Sequence, residues 1–163
     1  MKHGSIRITV PRAQLQTAMQ KELTAITGDT KAAKATNKIF VEMCNKYVPY
    51  ETGALQAAGR YTEKSAIWDT EYAHYMYEGI IYGPNIPIYA AFKYYGLVPI
   101  ILGWYSPKGK KKYPTNRKMT YHLNGNPLAS RHWDEKMLQR DRKAFNLRVT
   151  NELKRIASKK KKK

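Results

Sequence analysis

Pro49 constrains this chain more than any other single residue. Ahead of it, Ala32, Ala35, Ile39, Phe40, Met43 and Tyr47 recur at helical spacing, and Asp29 or Thr30 can cap the segment they define. The residue before a proline is pushed out of the helical region, so that helix must stop near Val48. Within "YVPYETGAL", Gly53 permits a backbone conformation that other residues resist, Thr52 can hydrogen-bond nearby backbone, and Leu55 returns to the core. Pro49, Thr52, Gly53 and Leu55 therefore predict a structural corner that turns a helix into a strand.

The rest of the chain fits around that corner. "SIRITV" alternates, with Ile6, Ile8 and Val10 on one face, and predicts a short strand. Leu15, Met19, Leu23 and Ile26 predict an amphipathic helix over about 11–26, closed by Gly28. "GRYTEKSAIW" predicts a hairpin turning at 63–65, and Tyr72, Tyr75 and Met76 a short helix ending at Gly79. Pro84, Pro87, Pro99, Pro107 and Pro114 then punctuate a strand-like aromatic stretch with an exposed basic tip at "SPKGKKKYPTNRK". The final helix is expected from an N-cap at Ser130, with Asp134 and Glu135 in its first turns, to about residue 157. Its buried stripe is Trp133, Met137, Leu138, Phe145, Val149, Leu153 and Ile156. The expected fold class is α+β: a small antiparallel sheet flanked by two N-terminal helices and a long C-terminal helix, with a β-rich insertion. One domain spans 1–157, residues 80–123 form the insertion, and 158–163 form a basic tail.

Charge narrows the function. The 163 residues hold 30 Lys and Arg against 12 Asp and Glu, a net charge of +18. No carboxylate occurs between Gly79 and Trp133, and five lysines end the chain. Such a field attracts polyanions, and a run of consecutive lysines is expected to be disordered until a partner neutralises it. No apolar run approaches the roughly 20 residues of a membrane span, and the N-terminus has no signal-peptide h-region, so no membrane partner is expected. The single cysteine, Cys44, allows no internal disulfide, suits a reducing cytoplasmic setting and reads as a small core residue.

Catalytic chemistry has no pattern to rest on. His3, His74, His122 and His132 show no metal-ligand spacing, and Glu51, Glu63, Asp69, Glu71 and Glu78 show no metal-nuclease order. Phosphate-cradling glycine motifs are missing from the sequence. The expectation is no catalytic residue, no metal, no cofactor and no enzyme. A small nuclease or toxin would depend on His74, His122 or Glu71. Polyanion contact is expected at Lys108, Lys110, Lys111, Lys112, Arg117 and Lys118, and at Lys159, Lys160, Lys161, Lys162 and Lys163, through backbone phosphates and without sequence readout.

The segment order resembles the tailed-bacteriophage minor capsid and head–tail joining family, the neck or tail-completion proteins. Pro49, Thr52, Gly53 and Leu55 match a "P-x-x-T-G-x-L" corner; Tyr72, Ala73, Tyr75 and Gly79 match a "Y-A-x-Y-x-x-x-G" segment; "NPLASRHWDEK" is similar to the family's turn into its last helix. The likeness covers roughly 12–80 and 124–157, while 80–123 and the lysine tail depart from it. It implies a non-catalytic virion subunit assembled in the host cytoplasm. That subunit would form a ring, sixfold or twelvefold, between portal or connector and tail-tube proteins, with genomic DNA passing non-specifically through the channel. Thirteen tyrosines exceed the needs of so small a core. Subunit interfaces are accordingly expected at Tyr72, Tyr75, Tyr77, Tyr82, Tyr89, Tyr94 and Tyr95. The alternative is a basic protein that binds nucleic acid non-specifically as a monomer.

Overall fold

The structure, a computed structural model, describes residues 5–9, 30–89 and 101–161, the side chains of 160 and 161 excepted. The helix expected over 11–26 lies outside the described residues. The chain divides into two compact units, one made of 1–79 with 120–163, the other of 80–119. The second is four residues shorter than the insertion expected from sequence.

The fold is α+β. In the larger unit, β1 (Ile6–Ile8) and β2 (Gly59–Tyr61) flank β3 (Ala66–Trp68) in an antiparallel sheet of order β1-β3-β2. Ile6 and Gly59 both lie opposite Trp68, and Ile8 and Tyr61 both lie opposite Ala66. The β2–β3 turn is held by Thr62, whose Oγ1 accepts from the amides of Lys64 at 3.2 Å and Ser65 at 3.1 Å. Against the sheet pack α1 (Thr30–Cys44), the single turn α2 (Ala54–Ala57), α3 (Ala73–Glu78) and the 29-residue α4 (Trp133–Lys161).

The core forms where α1, α4 and β3 converge. Phe40 meets Phe145 edge-on at 5.9 Å, tying α1 to α4. Trp133, fully buried at the start of α4, stands edge-on to Trp68 at 5.5 Å and to Tyr77 at 4.9 Å. Val41, Met43, Val48, Leu55, Met137, Val149 and Leu153 fill the remainder. Edge-to-face geometry suits aromatic quadrupoles and adds roughly 0.5–1.5 kcal/mol per pair beyond area burial.

Three boundaries differ from the sequence reading. α1 ends at Cys44 rather than near Val48, because the amides of Lys46 and Tyr47 tighten onto carbonyls three residues back, Met43 O at 3.4 Å and Cys44 O at 2.8 Å. α4 begins at Trp133, not after a Ser130 cap. Ser130 instead donates its amide to Tyr47 O at 3.0 Å, and His132, at φ 46°, makes the entry into the helix. At the far end α4 continues through Lys161 instead of stopping near 157. Lysine is a good helix former, and cations suit the negative end of the helix dipole, so the lysine run extends the helix.

The corner is held by amides that no pattern announced. Gln56 Nε2 donates to Asn45 O at 3.0 Å and Val48 O at 3.2 Å. Asn126 Nδ2 donates to Lys46 O at 3.0 Å and Val48 O at 2.8 Å, and its Oδ1 accepts from the Leu128 amide at 3.1 Å. These bonds satisfy carbonyls that the interrupted helix leaves open. Gly53 sits at φ 80°, and a Cβ there would come within 3.0 Å of the Tyr50 ring. Thr52 Oγ1 accepts from the Ala54 amide at 3.4 Å, and Pro49 and Leu55 are buried.

Asn126→Ala removes the donor to Lys46 O, leaves Val48 O with Gln56 alone and frees the Leu128 amide, and is expected to destabilise the protein by about 1–3 kcal/mol, read from urea unfolding. A change near zero would show that the corner holds without it. At the rim, Asp141 accepts from Lys46 Nζ at 2.9 Å and from Tyr47 OH at 3.1 Å. The Lys46 bond, more than the Tyr47 bond, holds the Asp141 carboxyl below its usual 3.8. A folded value below the unfolded one adds stability above that range and loses it as pH falls through it. Asp141→Asn should therefore be less stable than wild type at neutral pH, with the gap closing as pH drops below 3.8 in pH-resolved thermal melts.

Candidate interaction surface

Ile80 to Met119 forms a unit with a different economy of burial. β4 (Ile80–Gly83) pairs antiparallel with β7 (Tyr113–Lys118), and β5 (Ile86–Tyr89) with β6 (Ile101–Tyr105). The strand sequences "IPIY" and "ILGWY" carry no charged or amide side chain, and only tyrosine and tryptophan bring a polar tip, so neither face of this two-stranded ribbon is built for water. Ile86 lies opposite Tyr105 and Ile88 opposite Gly103 on one face; Pro87 lies opposite Trp104 on the other. Yet Ile86, Ile88, Tyr89, Ile101, Leu102, Trp104 and Tyr105 are all exposed, Leu102 by 68%. Tyr113 on β7 is exposed as well. A two-stranded ribbon is marginal by itself in water, and a contiguous exposed apolar surface marks a place where something docks.

Cations rim this surface. The Arg117 guanidinium lies 4.2 Å from the Trp104 ring centroid, a cation–π contact that joins β7 to β6. Lys112 Nζ donates to Ser106 Oγ and to Pro107 O, folding the basic loop onto itself. Lys108, Lys110, Lys111 and Lys118 are exposed, and 80–119 contains no carboxylate to offset them. Thr115 donates from Oγ1 to Ile81 O, fixing β7 against β4.

The tyrosines singled out from sequence do not form one set. Tyr89 and Tyr72 are exposed; Tyr75 and Tyr82 are half-buried. Tyr94 and Tyr95 lie outside the described residues. Tyr77, also half-buried, has partners within the chain: its hydroxyl donates to Asp134 Oδ1 at 2.9 Å, and its ring stacks on His132 at 4.8 Å and abuts Trp133. Burial first, then the Asp134 charge, raises its hydroxyl far above the ordinary range. Tyr121 is similar, its hydroxyl donating to Met76 O at 2.6 Å and pushed by burial up to about 12.

The sequence reading overlooked the exposed aliphatics Ile86, Ile88, Ile101 and Leu102. Their signal was the lack of alternation in strands bounded by turns on both sides. Of the lysine run, Lys159 is exposed on the last turns of α4, while the side chains of Lys160, Lys161, Lys162 and Lys163 lie outside the description.

Other chemistry-bearing side chains are dispersed. Cys44 is fully buried, and burial, ahead of the Asp134 charge, raises its thiol well above the usual range. His132 lies 3.7 Å from Glu78 and 3.4 Å from Glu135 at the entry to α4. Among the described residues, no three of His, Cys, Asp and Glu gather as a metal site would require, and no helix is long and apolar enough to cross a membrane. Comparison with known protein families, characterised proteins and solved structures finds no match.

Because Leu102 and Ile88 are exposed, Leu102→Ser and Ile88→Ser should each shift global stability by less than about 0.5 kcal/mol. Both should lower binding of an apolar dye such as ANS to the native protein. A loss of stability well above that figure would mean that the ribbon is packed inside the monomer.

Proposed function

We propose that this chain is a structural virion protein of the tailed-phage neck, a head–tail connector or tail-completion subunit that assembles as a ring around the DNA channel. The observation that carries the proposal is the 80–119 unit, whose apolar strands are exposed on both faces within one copy of the chain. A protein whose work is docking needs such surface. A protein that binds nucleic acid as a monomer needs only cations and stacking rings, and Ile86, Ile88, Ile101 and Leu102 offer neither.

Identical subunits that meet through two different patches close into rings when the rotation allows. In this reading the ribbon, with Tyr72 and Tyr89, supplies apolar area with polar tips to neighbouring subunits, the portal or the tail tube. The basic loop Lys108–Lys112 gives the collar its positive field, through which DNA passes without sequence contact. No bond is made or broken in this work.

The order of corner, hairpin, short helix and long helix also agrees with the resemblance noted in the sequence. The non-specific nucleic-acid-binding alternative is favoured by the charge alone.

Native mass spectrometry and negative-stain imaging, with the chain alone and with portal or tail-tube protein added, test the proposal. Closed rings are expected, and Leu102→Ser with Tyr105→Ser should abolish them while leaving the monomer folded. A strict monomer under every condition, binding nucleic acid tightly and salt-sensitively, would favour the alternative.

A further inference from the structure

Opposite charges are left open in two separate stretches of this chain. Among the described residues, Glu42, Glu78, Asp134, Glu135, Asp141 and Glu152 each meet a cation, a histidine or a hydroxyl. Glu51, Glu63, Asp69 and Glu71 do not, and all four are exposed. Asp69 and Glu71 lie in the loop from β3 to α3, which the Ala73 amide closes onto Thr70 O at 3.1 Å. Exposed rings stand next to these carboxylates in sequence: Tyr72 follows Glu71 and is 42% exposed, and Tyr50 precedes Glu51 and is 39% exposed.

The 80–119 unit is the converse. Its exposed cations, Lys108, Lys110, Lys111, Arg117 and Lys118, have no carboxylate within the unit to meet, and Arg117 lies on Trp104 of the β5–β6 ribbon itself. Two such ribbons laid face to face would set like charges together, which is unfavourable. A polyanion would answer the lysines and leave Ile86, Ile88, Ile101 and Leu102 uncovered. The ribbon calls for a partner that brings carboxylates and apolar rings together, and the segment from Tyr50 to Tyr72 brings both.

We propose that the ribbon of one copy docks head to tail on the Asp69–Tyr72 loop of a second copy, with Lys110 and Lys111 set against Asp69 and Glu71. The two patches differ, so the contact is heterologous and leaves each copy a patch open for a further one. The inference rests on the proposed function in taking a like subunit as the partner, and it names the two surfaces that meet. It does not require the ring to close.

Reciprocal charge reversal tests it, read by sedimentation velocity over a concentration series at low salt. Lys110→Glu with Lys111→Glu makes one variant, and Asp69→Lys with Glu71→Lys the other. No described bond to these four side chains is lost, so both variants should melt as wild type does. Each alone should self-associate about tenfold or more weakly than wild type, because like charges then face each other. An equimolar mixture should regain association near the wild-type level, since each reversed patch meets its opposite in the other variant. Both variants stay strongly cationic, so general attraction does not mimic that rescue. Should a reversal lower the melting temperature, the neutral variants Lys110→Gln with Lys111→Gln and Asp69→Asn with Glu71→Gln carry the test, each weakening association by about threefold.

Self-association that neither reversal changes overturns this contact and leaves the neck reading standing. Weakening by both reversals without rescue in the mixture also overturns it, because the two patches then do not meet each other. Rescue that yields open chains and never closed rings, even with portal or tail-tube protein added, supports this contact and counts against the neck reading. A strict monomer at every concentration overturns it and leaves an outside acidic protein as the occupant.

Discussion

The larger unit depends on Trp133 being buried at the start of a long helix. Its indole meets Trp68 from the sheet and Tyr77 from α3, so one side chain joins three elements. The approach to it is held from the preceding loop: Ser130 bonds Tyr47 O, His132 bonds Tyr77 O, and Asn126 bonds Lys46 O and Val48 O. With that end anchored, α4 can lie along α1 through Phe40 and Phe145. Those bonds also close the carbonyls that Pro49 leaves open where α1 stops. The helix break and the helix start are solved by the same few residues.

The two units balance their chemistry in opposite ways. In the larger unit the described residues place Phe40, Trp68, Trp133 and Phe145 inside and pair most of the carboxylates of α4 and α1 with nearby cations or hydroxyls. Residues 80–119 keep apolar strands and cations at the surface together and hold no carboxylate. Exposed apolar area costs solvation, and unbalanced charge costs self-repulsion, so both are relieved when a partner covers them. This is the physical basis on which an assembly role is preferred to one in catalysis.

Much of the fold was legible in the sequence because it rests on period and punctuation. The helical spacing of Phe145, Val149 and Leu153, the turn at Thr62–Ser65, and the stop at Gly79 each follow from local chemistry. Boundaries set by distant partners were not. Ser130 reads as a helix cap until Tyr47, far away in sequence, takes its amide. Gln56 and Asn126 read as loop residues because their carbonyl partners are revealed only when the corner closes. The Tyr77 hydroxyl has its partner in Asp134, 57 residues on, which no local pattern announces. The surface was half legible: the cations of the basic loop stand out in the sequence, but exposed Ile86 or Leu102 looks the same as a buried strand residue until the fold shows it exposed.

The central claim is that the 80–119 ribbon is surface in the single subunit and is covered on assembly. Amide hydrogen exchange, followed by mass spectrometry at dilute and at assembling concentration, addresses it most directly. The account predicts that peptides spanning 86–89 and 101–105 exchange readily when dilute and gain protection on assembly, while peptides from Thr30–Cys44 stay equally protected throughout. Strong protection of the ribbon in the dilute monomer, or assembly that leaves its exchange unchanged, would contradict the account.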